Sequence, residues 1–285
     1  MNKAKNRGKL FLGTCSWKYD DWRGIIYPET GKINYLKEYS KVYQTVEVDQ
    51  WFWNFPDPKI VEAYKLSVPD EFLFTIKIPN AISLTHFYKR KGESSLRQNP
   101  DFLSVKKFRE LLSLLNSLEE QTAVFMLQFE YLNKSKMPSQ IDFQLRFENF
   151  AGQFPEQKNL GIEIRNPNYL NREYFKFLNE NNLIPVFIEG YYMPPVYEIL
   201  RKQFDLLANK IVIRLHGPDR KKIEALSGGN WNEIILPKDE ELLKILSVVN
   251  ELLEKGVDVF INVNNHYEGS APLTIRKIKN FISSK

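Results

Sequence analysis

Cysteine is almost absent from this sequence, and the single residue, Cys15, excludes an internal disulfide framework and any C-x-x-C zinc motif. Histidine is nearly as scarce: His86, His216 and His266 form no H-x-H or H-E-x-x-H pattern, so no local metal motif is present. Neither G-x-x-x-x-G-K-[ST] nor G-x-G-x-x-G occurs, and Gly228-Gly229 is expected to be a flexible loop element, not a phosphate cradle. No run reaches the ~18 apolar residues that a membrane span needs. There is no low-complexity tract. Lys3, Lys5, Arg7 and Lys9 precede only three apolar residues, Leu10, Phe11 and Leu12, which are too few for a signal-peptide core. The expectation is a cytoplasmic protein, with residues 1–9 as a flexible basic arm.

What is present is enough to fill one large core. The 285 residues are 43% hydrophobic and 26% charged, the balance of a globular chain, and no linker divides them. With 40 basic and 35 acidic residues the net charge is only +5, which allows an anionic ligand without requiring nucleic acid.

The stretch Lys-Ile-Val-Ile-Arg-Leu-His-Gly-Pro at 210–218 shows how that core is organised. With a period of two, Ile211, Ile213 and Leu215 share one face, and Val212, Arg214 and His216 the other. Glu163 and Arg165 oppose Ile162 and Ile164 in the same way, and Glu47 and Asp49 oppose Val46 and Val48. Across 257–264, Asp258, Phe260, Asn262 and Asn264 face away from Val257, Val259, Ile261 and Val263. Strands with an apolar outer face and polar residues near their C-terminal ends are what a parallel barrel needs.

Eight strands are expected, at 10–14, 45–49, 73–78, 122–128, 160–165, 184–188, 210–216 and 257–263. Helical patterns fall between and after them at 34–44, 58–68, 105–119, 141–152, 172–181, 196–207, 238–254 and 271–282. The fold class is therefore α/β, a single (β/α)8 TIM-barrel domain over 1–285. Long connections at 15–33, 79–104 and 217–237, after strands one, three and seven, would gather at the C-terminal mouth.

Charges facing into a barrel must pair with one another or with a ligand, because an unpaired buried ion is costly. Glu47, Lys77, Glu163, Arg165 and Arg214 are such charges, and a closed salt-bridge network is one outcome. Donors outnumber carboxylates, however, once Gln128, Asn262, Asn264 and Asn265 are counted. That surplus favours a phosphate or carboxylate held by Arg165 and Arg214. His216 and His86 would then move protons, Glu163 would orient an arginine or act as base, Glu47 would join them, and Asn264 and Asn265 would hold hydroxyls. Trp17 and Tyr19, in an aromatic-rich loop, offer stacking surfaces for a sugar-like ring, though such residues more often pack a loop on its scaffold. Cys15 has no neighbour in sequence that would activate it as a nucleophile.

Two other readings stay open. A divalent metal could be held by His216, His86, Glu163 and Glu47, giving a metal-dependent hydrolase or isomerase acting on nucleic acid phosphates. Alternatively, the early aromatics and the basic segment 89–97 could bind single-stranded nucleic acid without catalysis.

Six blocks in order resemble the DUF72 (YecE-like) family. They are Gly13-Thr14-Cys15-Ser16-Trp17-Lys18-Tyr19-Asp20-Asp21-Trp22-Arg23-Gly24 with Tyr27-Pro28; Val46-Glu47-Val48; Thr85-His86; Glu163-x-Arg165; Arg214-x-His216-Gly217; and Asn264-Asn265. The resemblance runs from about Leu10 to the C-terminus and implies a TIM barrel of no established activity. It also implies a shared mouth cluster of Glu47, His86, Glu163, Arg165, Arg214, His216, Asn264 and Asn265. This chain departs from the family pattern at Cys15, where serine is usual, and at Asp49-Gln50-Trp51-Phe52-Trp53, where an Asn-Ser-Thr-Phe-Tyr-like run is usual.

Overall fold

A computed structural model describes residues 7–88, 96–217 and 219–283. Residues 1–6 of the basic arm, 89–95 of the basic segment and Pro218 lie outside the described residues.

The eight expected strands form. They are β1 (Leu10–Thr14), β2 (Thr45–Val48), β3 (Leu73–Lys77), β4 (Thr122–Gln128), β5 (Leu160–Glu163), β6 (Ile184–Gly190), β7 (Lys210–Gly217) and β8 (Asp258–Val263). Every ladder is parallel, and the order runs β1-β8-β7-β6-β5-β4-β3-β2. The ring closes between β1 and β2 through a single parallel bridge, Cys15 to Glu47, and through Ser16 N–H donating to the Glu47 carbonyl at 3.1 Å. Gly13 makes that seam possible, because a Cβ there would lie 2.2 Å from the Thr45 carbonyl oxygen.

The alternation along β7 fixes what lies inside. Ile211, Ile213 and Leu215 pack outward against the helices, and Val212 joins an inner layer with Val124, Met126, Val186 and Phe260. One pleat further along, Arg214 stands beside Asn262 of β8, and His216 lies one pleat above that. The barrel interior is therefore apolar at its base and charged towards its mouth.

Ten α-helices are present among the described residues: α1 (Tyr35–Ser40), α2 (Pro58–Lys65), α3 (Asn80–Ser83), α4 (Val105–Leu114), α5 (Gln140–Ala151), α6 (Arg172–Glu180), α7 (Val196–Lys202), α8 (Arg220–Ser227), α9 (Asp239–Glu254) and α10 (Ala271–Ser283). Side-chain caps set several of their starts: Asp57 ahead of Pro58, Ser104, Ser139 and Asn171 each accept a backbone N–H from the first turn. Phe108, Leu111, Leu115 and Leu118 are buried as their spacing demands, but α4 stops at Leu114 and the chain continues as a 3-10 turn over Asn116–Leu118. The long connection after β7 contains α8, which only a short apolar pattern marks. Asp219 caps it, and it ends on Gly228 in the left-handed region with φ of 61°.

No helix among the described residues is long and apolar enough to cross a membrane.

Candidate functional site

Arg214 is the centre of the mouth, and it is 2% exposed. Its Nε and Nη2 each donate to Glu47, at 2.7 Å to Oε2 and 2.7 Å to Oε1, a two-point fork that fixes the guanidinium plane. Its Nη1 bonds Glu163 Oε2 and lies 3.4 Å from Gln128 Oε1. Glu163 in turn accepts from Arg165 Nε at 2.8 Å through its other oxygen. Glu47, Arg214, Glu163 and Arg165, drawn from three strands and the turn after β5, thus form one continuous ionic chain. Burial works against the charge of Glu163, but Arg214 and Arg165 hold its carboxyl at about 2. Burial also opposes the charge on Arg214, and Glu163 and Glu47 more than offset it.

The expectation that Arg214 would offer its fork to an anion therefore meets a guanidinium already occupied by carboxylates. The free donors are elsewhere. Arg165 uses only Nε on Glu163; its guanidinium lies 5.0 Å over the Tyr191 ring, and its terminal nitrogens meet no oxygen partner among the described residues. Lys77, at the end of β3, is 9% exposed. Its Nζ sits 4.0 Å over the Phe52 ring, and no carboxylate among the described residues lies within salt-bridge distance of it. Burial, reinforced by Arg214, pulls the Lys77 ammonium down to about 8.

His216, partly buried, faces Cys15, with Nε2 3.6 Å from Sγ. Burial, then Arg214, Lys77 and Arg165, push its imidazole well below the ordinary histidine range, so the ring is neutral at pH 7. The Cys15 thiol also lies 3.5 Å from Glu47 Oε2, and burial with the Glu47 charge raises it, so it stays protonated. Asn262 Nδ2 reaches both Thr75 Oγ1 at 2.8 Å and Glu47 Oε2 at 3.3 Å. Asp49, partly buried just beyond β2, is raised by burial and by Glu47.

Among the described residues, Cys15, Glu47 and His216 form the one group of potential metal ligands with donor atoms within 4.8 Å of one another. His86 and Glu163 are not in it. His86 lies in a bridge to Gln98 within the connection after β3, with Nδ1 3.1 Å from Thr85 Oγ1, and makes no described hydrogen bond to the ionic chain.

The remaining candidates spread outward. Asn264 Oδ1 accepts from His266 N at 2.9 Å and faces its Nδ1, while His266 Nε2 is 3.1 Å from Glu224 of α8. Asn265 is buried; its Oδ1 accepts from Ala271 N at 2.9 Å, so it anchors the start of α10. Trp17 is buried and meets the Tyr64 ring edge-on at 5.0 Å, and Tyr19 packs 4.6 Å from Trp22. Burial, and after it Asp49, raises the Tyr19 phenol.

Three participants were not singled out from sequence: Cys15 as part of the cluster, Asp49 and Tyr191. Two backbone outliers flank the site, Ser16 at φ 78° after β1 and Tyr191 at φ 55° after β6. Non-glycine residues in the left-handed region cost about 1 kcal/mol each and collect at functional sites. Both stand within three residues of an expected strand end, at 14 and at 188, which is the one mark they carry in the sequence.

A closed ring of parallel strands with a charged C-terminal mouth defines the class, a (β/α)8 barrel. The profile of the family described as "Protein of unknown function DUF72" matches residues 11–285, and the chain belongs to that family. It is similar to the UPF0759 protein YecE of Escherichia coli, 22% identical over 161 residues, or 56% of this chain and 50% of that protein. The chain thus spans half the length of that relative. The UPF0759 protein YunF of Bacillus subtilis is 23% identical, with 92% of this chain and 90% of that protein covered. A crystal structure of a DUF72 family protein from Thermotoga maritima has a TM-score of 0.67 at 21% identity, covering 96% of this chain and 99% of that one. Another from Enterococcus faecalis has 0.68 at 17%, covering 95% of each. At these identities the likeness shows the shared fold.

Proposed function

We propose that this chain is an enzyme acting on a small anionic substrate, a phosphate- or carboxylate-bearing, sugar-like molecule, at the barrel mouth. The observation that carries the reading is the pair of cations with unused donors, Arg165 and Lys77, above a layer where Glu47 and Glu163 are already engaged by Arg214. An anion entering there meets two N–H-bearing cations and displaces no carboxylate. His216 offers an unprotonated ring nitrogen at the mouth, and Asp49 a carboxyl shifted upward by burial and by the Glu47 charge. Glu163 orients Arg165, Glu47 holds Arg214, and Gln128 and Asn264 stand ready for hydroxyl groups.

The test is binding of inorganic phosphate by isothermal titration, for the wild type and for Arg165→Gln. Phosphate should bind the wild type and lose about tenfold in affinity in the variant, with the melting temperature of the free protein little changed. Equal affinity in both proteins, or no heat of binding in either, would remove the reading.

The grouping of Cys15, Glu47 and His216 favours a second reading, a metal-dependent hydrolase or isomerase. Against it, Glu47 is already held by the Arg214 fork, and burial together with the neighbouring cations Arg214, Lys77 and Arg165 disfavours a positive charge beside His216. Zinc titration decides: stoichiometric zinc lost in Cys15→Ser supports this reading, and zinc uptake unchanged by that substitution rejects it.

A further inference from the structure

We propose that Lys77 is an imine-forming amine: its Nζ condenses with the carbonyl carbon of a small anionic aldehyde or ketone whose anionic group rests on Arg165. The inference rests on the anionic-substrate reading above and names the functional group that substrate must carry.

The geometry sets Lys77 apart from the other charged groups of the barrel interior. Arg214 is tied down by Glu47 and Glu163, and Arg165 is tied by one nitrogen to Glu163. Lys77, by contrast, is nine-tenths buried and has no carboxylate within salt-bridge reach among the described residues. Its nitrogen rests on the face of Phe52, which is itself buried. A lysine kept only as a countercharge would turn onto Glu47, Glu163 or Asp49, all of which act on it electrostatically. Its side chain leaves the last residue of β3, at the mouth of the ring, where barrel sites are assembled. An apolar wall and an adjacent fixed cation, here Arg214, are the two means by which proteins make a lysine nucleophilic. Both are present, and the amine accordingly titrates near 8, so a useful fraction is unprotonated at neutral pH.

The step balances without a redox partner. The Nζ lone pair forms the C–N bond, the carbonyl oxygen leaves as water with one amine proton and one proton from an acid at the mouth, and a protonated C=N bond remains. Asp49 lies just past the end of the neighbouring strand β2, and burial and the Glu47 charge shift its carboxyl upward. Neutral His216 can then remove a proton from the carbon next to the iminium, the reaction that an imine makes easy. Lys77 ends β3 and Arg165 follows Glu163 at the end of β5, two strands away in the parallel ring, so both cations stand at the same end of the barrel.

The experiment is reductive trapping on the full chain with two probes, glyoxylate and glycolaldehyde phosphate, in the presence of cyanoborohydride, which delivers hydride to the imine carbon. Peptide mass spectrometry then locates the secondary amine. The expected result is rapid labelling of Lys77 ahead of the other lysines, with Lys77→Arg and Lys77→Met both folded and unlabelled at this peptide. Lys77 unlabelled, or labelled no faster than exposed lysines, overturns the proposal. Phosphate competition keeps the two readings apart. Slowing by phosphate that is lost in Arg165→Gln supports both. Fast labelling of Lys77 that neither phosphate nor Arg165→Gln affects would keep the amine and reject the anion site. Phosphate binding that depends on Arg165 without labelling of Lys77 would keep the anion site and reject the amine.

Discussion

Arg214 and Glu47, 167 residues apart in the chain, meet across the barrel in a two-point hydrogen bond of 2.7 Å in each arm. Arg214 is 2% exposed and Glu47 fully buried, so neither has water to fall back on. Removing one member of a buried pair leaves the other uncompensated, which costs about 3–5 kcal/mol.

Arg214→Met should therefore lower the stability of the barrel by about that amount, read from the midpoint of urea unfolding. The triple variant Glu47→Gln, Arg214→Met, Glu163→Gln should recover much of the loss, since neither carboxylate that Arg214 had paired is left charged, and Arg165, with a side chain 23% exposed, keeps access to water. A single Arg214→Met variant as stable as the wild type, but unable to bind phosphate, would instead make this arginine a direct ligand contact.

Glu189 at the end of β6 supplies a pH dependence of the opposite sign to that of a paired carboxylate. Burial raises its carboxyl to about 7, even though Val196 N–H donates to it at 2.7 Å. Its folded value lies above the ordinary 4.5, so the native state binds the proton more tightly than the unfolded chain does. The stabilisation is complete below about pH 4.5 and is lost as the pH rises through about 7. The linkage is worth on the order of 3 kcal/mol across that window. Glu189→Gln should flatten the fall in unfolding free energy between pH 5 and about 7.5; an unchanged slope would assign it to other groups.

Gly13 is the test of closure. Adding one methyl group brings a carbon to 2.2 Å from the Thr45 carbonyl, a contact that only a shift of β1 against β2 can relieve. Gly13→Ala should cost about 3 kcal/mol, and phosphate affinity should fall with it, because the same two strands carry Cys15 and Glu47. Full stability in this variant would mean that the seam yields easily.

The Cys15 thiol is held protonated by burial and by Glu47. Iodoacetamide at pH 8 should therefore alkylate it on the order of 100-fold more slowly in the folded chain than in urea. Comparable rates would show that the thiol is open and activated.

Much of this was legible in the chain because period-two patterning is a local property. Val212, Arg214 and His216 alternate with Ile211, Ile213 and Leu215, and that alone orients β7. The same rule brought Glu47 and Glu163 to the interior. What it could not give is who pairs with whom across the ring. Gln128, Glu163 and Arg214 come from β4, β5 and β7, and their distances depend on the tilt and stagger of all eight strands. That is why Arg214 resembled a free fork in the sequence and is a saturated one in the fold. Asn264 and Asn265 show the same limit, since adjacent amides take different work, one beside His266 and one at the start of α10. The short α8 leaves little trace in the sequence, because Ile223 and Leu226 are its only large apolar residues, too few to reveal a helical period.

The narrow join between β1 and β2 ties architecture to chemistry. Cys15 and Glu47 are at once the stitch that completes the cylinder and two members of the ionic and thiol group at its opening. A molecule bound there would act as a rivet on the weakest edge of the sheet. The Ser16 amide, whose hydrogen bond to the Glu47 carbonyl completes that stitch, is therefore the backbone position where slowed hydrogen exchange would report occupancy first.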